Sequence, residues 1–283
     1  MKNLKFPALM MLGSLFCSHA SAGINVDGKI DVGEWLVSTS TLKAVAGVES
    51  TIEEWNPNIN PNGYLTPGYG GQAYDAEALY AKIEGGKLFI ALITGHDPGT
   101  VTAGGSYGAG DFALDFGKDG SYEAGVNFRN MASTSAKDSF GDHAGFYRNA
   151  TWDLGLWDRD GKEARVSKKA PDSQHPTSLN GGEIIGGLND GVEFVYTSGS
   201  NWKKGYGQYQ NDKHYFYEMS IDTSLLTEAG WDGKAFNIHW TENCANDSII
   251  VDPPSAVPEP GSLALLGIGL FGVIGMRRRK QNG

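Results

Sequence analysis

Ala78-Leu79-Tyr80-Ala81-Lys82-Ile83, then Glu84-Gly85-Gly86-Lys87, then Leu88-Phe89-Ile90-Ala91-Leu92-Ile93 follow one another without interruption. Two apolar runs joined through Gly-Gly predict a β-hairpin, because the primed two-residue turns need the positive φ that glycine adopts freely. With Gly85-Gly86 at the tip, facing residues have numbers that sum to 171. The second run is apolar on both faces, so it should be a central strand covered on each side.

Outward from this hairpin the same grammar repeats. Phe112–Phe116 and Tyr122–Phe128 flank Lys118-Asp119-Gly120 and predict a second hairpin. Further strands are expected at Val192–Tyr196, Tyr215–Ile221 and Ala235–Thr241. Residues 55–71, rich in Asn, Pro and Gly, read as a long loop, and 167–187, with Pro171, Pro176 and paired glycines, as a second long loop or a weak strand. The chain has 40 Gly in 283 residues, about twice the usual ~7%, and the body has no long amphipathic helical stretch. The expected fold is all-β: a Gly-rich antiparallel β-sandwich, jelly-roll-like.

Both ends carry a different pattern. Lys2 and Lys5 precede an uncharged apolar run, Phe6–Phe16, and the small residues Ala20-Ser21-Ala22 follow it. This is the layout of a secretory signal peptide, with cleavage by signal peptidase expected between Ala22 and Gly23. Lipidation of Cys17 is disfavoured, because bulky Phe16 precedes it. At the other end, Val257-Pro258-Glu259-Pro260 leads into the apolar run Gly261–Met276 and then Arg277-Arg278-Arg279-Lys280. At ~1.5 Å per residue this run barely spans a ~30 Å hydrocarbon core, and its four cations should hold the tail in the cytoplasm. The combination resembles the PEP-CTERM sorting signal, which implies recognition and cleavage by an exosortase. That resemblance implies an exported protein, held in the inner membrane only transiently by its C-terminal helix and then sent to the cell surface or exterior. The expected organisation is a signal peptide over 1–22, a β-sandwich domain over 23–252, a linker over 253–256 and the sorting signal over 257–280.

Trimming the ends removes six of 23 basic residues and one of 33 acidic ones, so the body carries 17 against 32, a net charge of −15. Such a surface repels nucleic acid and anionic membranes, and predicts a preference for neutral over polyanionic glycans. Only Cys244 survives processing, so no intramolecular disulfide is available.

Several body segments resemble family-nine carbohydrate-binding modules and DOMON-like domains. These are Ile24-Asn25-Val26-Asp27-Gly28 through Glu34-Trp35, Tyr74–Tyr80 with Leu88–Gly95, and Tyr217-Glu218-Met219-Ser220-Ile221. Gly110–Asp115 and Trp240–Asp247 resemble segments of other exported PEP-CTERM proteins. The resemblance implies a β-sandwich with a binding or structural role.

No enzyme is expected. Gly104-Gly105-Ser106-Tyr107-Gly108 matches a nucleophile elbow in letters only, since no helix is predicted after it. The five body histidines show no zinc-binding spacing. The one cofactor considered is calcium. Hairpin pairing brings Asp75, Glu77 and Asp97 to one rim, where Asp111 and Asp247 are candidate companions, and calcium takes oxygen ligands of this kind. Asp158-x-Asp160-Gly161 is read as a turn. Aromatic rings stack on pyranose faces, so the candidate sugar contacts are Trp55, Tyr64 and Tyr69 in one loop and Trp202, Tyr206 and Tyr209 in another, with extracellular polysaccharide as the expected partner. Trp35, Trp231 and Trp240 are assigned to the core.

Overall fold

The structure, a computed structural model, describes residues 23–54, 56, 63–100, 107–128 and 144–253. The signal peptide, Trp55, Ser106 and the sorting signal from 257 onward lie outside them. Eleven strands form one sheet: β1 (Glu49–Ile52), β2 (Ala76–Glu84), β3 (Lys87–Thr94), β4 (Phe112–Asp115), β5 (Ala124–Asn127), β6 (Gly145–Leu154), β7 (Pro176–Leu188), β8 (Gly191–Tyr196), β9 (Tyr215–Asp222), β10 (Asn237–Thr241) and β11 (Ser248–Val251). Their spatial order is β1-β2-β3-β9-β8-β7-β6-β5-β4-β10-β11.

The sheet curls until its two edges meet. Pairing between β7 and β8 shrinks to two parallel pairs, Gly187↔Gly191 and Leu188↔Val192, so five strands fold over against six. At the far seam β11 lies against β1 and β2, and the Thr51 hydroxyl donates to the Ile250 carbonyl at 2.6 Å. The result is a flattened near-barrel, all-β as expected.

The β2–β3 hairpin sets the layering. Facing residues sum to 171 from Ala78↔Ile93 to Glu84↔Lys87, and the register shifts only at Glu77, a bulge next to Ala76↔Thr94. On β3, Leu88, Ile90 and Leu92 enter the interior cluster with Phe112, Phe128, Tyr217, Met219 and Trp240. The alternate residues Phe89, Ala91 and Ile93 enter a second cluster with Ile30, Trp35, Leu36, Leu42 and Tyr80. The chain from Ile24 to Val48 thus roofs the outer face of β2, β3 and β9, which is why that face is apolar.

One carboxylate fastens the roof. Glu218 on β9 has no exposed surface. Its Oε2 accepts from the Asp27 and Gly28 amides, both at 2.8 Å, and its Oε1 accepts from Trp35 Nε1 at 2.7 Å. Gly28 adopts φ +79°, and a Cβ there would lie 2.8 Å from Val195 Cγ1, so the turn needs glycine on both counts.

Of the two readings open for 167–187, loop or weak strand, the strand holds from Pro176 onward, where the thirteen-residue β7 begins; β1, β6 and β11 were not anticipated. The glycines of β7 mark close approach rather than turns: a Cβ on Gly181 would lie 2.4 Å from Thr151 Oγ1, and one on Gly186 2.4 Å from Leu225 Cδ1.

Candidate functional site

The rim where β2 starts and β3 ends gathers several of the acidic residues, each with its own task. Asp75 and Asp247 are both buried and their side chains lie next to one another. Asp247 Oδ2 also accepts from the Ala76 amide at 2.9 Å and Oδ1 from Ser248 at 2.8 Å. Glu77 Oε2 sits 2.8 Å from His214 Nε2, and Gln72 Nε2 donates to Glu77 Oε1 at 2.6 Å. Asp97 accepts from the amides of Gly99 and Gly199. Asp111 bridges the Phe128 and Leu179 amides at 2.6 and 2.8 Å. Of the five calcium candidates the structure therefore brings together Asp75 and Asp247, while Glu77, Asp97 and Asp111 each satisfy separate partners. Asp158 behaves as a turn residue, with Oδ1 accepting from the Asp160 and Lys162 amides.

Among the described residues, the carboxylates close enough to share an ion are Asp115, Asp119 and Glu123, within 4.8 Å of one another on the β4–β5 hairpin. Each already serves the turn: Asp115 accepts from the Asp119 and Gly120 amides, Asp119 from Ser121 and Glu123 from Phe116. The spacing of the three acids was present in the sequence, where it was read only as a turn.

Burial of acids without cations makes the fold sensitive to alkali. Glu242 has no exposed surface, and its Oε1 accepts from the Asn246 and Asp247 amides at 2.9 and 3.0 Å. Burial and the neighbouring Asp247 push its pKa up to about 8. Burial raises Asp247 too, with Glu53 adding to the effect against the backbone donors. Burial also raises Glu218, to about 7, against its three hydrogen bonds. A raised carboxyl pKa means the folded state holds protons that the unfolded chain has released, so stability falls as pH rises toward the folded value. Burial lowers His96, to about 4, and His239 well below the ordinary value, the latter with help from His175; these act oppositely, but only below about pH 6.5. His214 is pulled down by burial, yet the hydrogen bond and charge of Glu77 raise it overall, which adds to the alkaline loss. Between pH 6.5 and 8.5 the expected loss from Glu242 alone is roughly 2 kcal/mol at ~1.4 kcal/mol per unit, and the other raised groups add to it. Glu242→Gln should flatten the upper part of that profile. Chemical denaturation at the two pH values checks it, and a stability that rises with pH would refute it.

The sugar candidates divide into two groups. Tyr64 and Tyr69 pack on Trp157 of a third loop, with ring centroids 6.0 and 5.6 Å apart, and Trp157 Nε1 donates to Asn246 Oδ1 at 3.2 Å. Trp202 is half-buried and rests on the interior core. Tyr206 packs edge-on against Phe216 at 4.7 Å and donates to the Ile30 carbonyl at 3.3 Å. The Tyr209 amide donates to Glu54 Oε1 at 3.2 Å. Trp35, Trp231 and Trp240 are buried.

Beside the Trp202 loop opens a cleft of about 460 Å³, lined by Gln72, Tyr74, His96, Asp97, Lys213 and Tyr215 among others. His96 and Lys213 were not singled out in the sequence. Among the described residues no helix is long and apolar enough to cross a membrane; the apolar run 261–276 lies outside them.

Residues 256–280 match the family described as the PEP-CTERM protein-sorting motif. No curated protein and no solved structure matches the chain, so the resemblance of the body to carbohydrate-binding modules and DOMON-like domains gains no support. The motif marks an exported protein, processed by an exosortase and directed to the cell envelope or surface.

Proposed function

We propose that the exported β-domain is a non-enzymatic binding component of the cell exterior whose partner is extracellular polysaccharide. The observation that carries the reading is the junction of the Trp202 loop with the 460 Å³ cleft, where aromatic rings and polar side chains share one opening. Its volume falls in the ~300–1,000 Å³ range usual for small-ligand sites. The absence of a catalytic motif in the sequence favours binding over hydrolysis, and a secretory route supplies the polymer as neighbour. On this reading the C-terminal apolar run, residues 261–276, holds the protein in the inner membrane only until the exosortase acts.

Affinity electrophoresis of the exported protein on neutral and acidic polysaccharides tests this. Trp202→Ala should weaken retention. It should also cost stability, roughly half of the ~3–5 kcal/mol of a fully buried tryptophan, because the ring is anchored on the core. No retention on any polymer, from a protein that still melts cooperatively, assigns the domain a purely structural surface role instead.

A further inference from the structure

In a body of net charge −15, one loop concentrates the opposite sign. Lys203 and His214 form an isolated antiparallel bridge, with Lys203 N donating to the His214 carbonyl at 2.8 Å. Lys204 and Lys213 follow from that bridge into the loop on its two sides, and like charges brought near one another repel. Both ammonium groups nevertheless lie over the same ring: Lys204 Nζ is 5.3 Å and Lys213 Nζ 5.4 Å from the Trp202 centroid. Neither forms an ion pair with an acid among the described residues, in which most other lysines do.

Trp202 therefore acts as a post. Seated on the interior core, it holds two ammonium groups by cation–π attraction, which concentrates positive charge beside the cleft. Lys213 also lines the cleft, whose other walls are Tyr74, Tyr215, Thr100, Gln72 and Asn211. These supply ring faces and hydrogen-bonding groups for a hydroxylated ring. Asp97 and Asp212 on the same walls accept hydroxyl donors and repel a carboxylate, which orients a ligand with its acidic group toward the lysines. Resting on the polysaccharide-binding reading above, we infer that the cleft lined by Lys213, with Lys204 beside it over the shared Trp202 ring, recognises a carboxylated sugar, a uronate unit of an acidic polysaccharide. The expectation of neutral glycans, drawn from net charge, is replaced here by the local arrangement of charge.

The experiment compares an acidic polymer with its neutral ester and with an unrelated neutral glucan. The exported protein is run through gels containing polygalacturonate, its fully methyl-esterified form, or dextran. Wild type should be retarded by polygalacturonate and not by the ester. The Lys204→Gln/Lys213→Gln variant should lose at least tenfold in affinity, about 1.4 kcal/mol, with an unchanged melt because both side chains are on the surface. The double Lys→Arg variant should retain binding. Equal retardation of wild type and the Gln variant overturns the site. Retardation by the ester or dextran with none by polygalacturonate overturns the uronate assignment and leaves polysaccharide binding standing. Retardation by none of the three removes both.

Discussion

Glu218→Ala is expected to unfasten the N-terminal roof from the sheet. The substitution deprives the Asp27 amide, the Gly28 amide and Trp35 Nε1 of their acceptor at once. An orphaned buried donor costs ~1–3 kcal/mol, so the sum reaches about 4 kcal/mol unless the segment detaches and lets water in. Detachment would expose Trp35 and Tyr80, now stacked at 6.2 Å in the outer cluster. The variant should therefore show red-shifted tryptophan emission, early proteolysis within Gly23–Val48 and a much lower melting temperature. Glu218→Gln keeps one acceptor oxygen but aims an NH₂ group at N–H donors, so it should fall between wild type and Ala. A wild-type melt with Trp35 still protected in Glu218→Ala would show that the outer cluster, and not the carboxylate, holds the roof.

The same residue shows how far the sequence could be read. Asp27-Gly28, Trp35 and Glu218 were all visible as parts of one resemblance, yet nothing in their spacing said that a single carboxylate joins them across 191 residues. The β2–β3 hairpin was legible to its register because Gly85-Gly86 fixes the turn and both faces are apolar. Only Glu77 escaped, since a bulge leaves no periodic trace. β7 could be read as loop or weak strand because its paired glycines suit a turn as well as a strand, whereas Gly181 and Gly186 are strand positions against which Thr151 and Leu225 press. Asp111, Asp115 and Glu242 accept backbone amides from turns and neighbouring segments, a role that composition cannot distinguish from metal ligation. In a body with no disulfide, such carboxylates do the cross-linking between Gly-rich connections. Tyr64 and Tyr69 pack on Trp157, a contact that spacing does not reveal, and the lysines beside Trp202 drew no notice against the overall negative charge.

Glu259→Ala is expected to abolish C-terminal processing altogether. The motif occupies residues 256–280, and Glu259 is the only carboxylate among them, set between Pro258 and Pro260 just before the apolar run. Replacing it removes the one charged group that a membrane protease can recognise on that side of the segment, while Arg277 to Lys280 continue to hold the tail on the other. The precursor should then stay in the inner-membrane fraction with its tail intact. The measurement that decides the matter is the intact mass of the protein recovered from the cell exterior, beside that of the membrane-bound form in the Glu259→Ala strain. An external wild-type protein that begins at Gly23 and lacks the run from Gly261 to Lys280, with an unprocessed variant left in the membrane, is the predicted result. An external Glu259→Ala protein with the same C-terminus as wild type would contradict it.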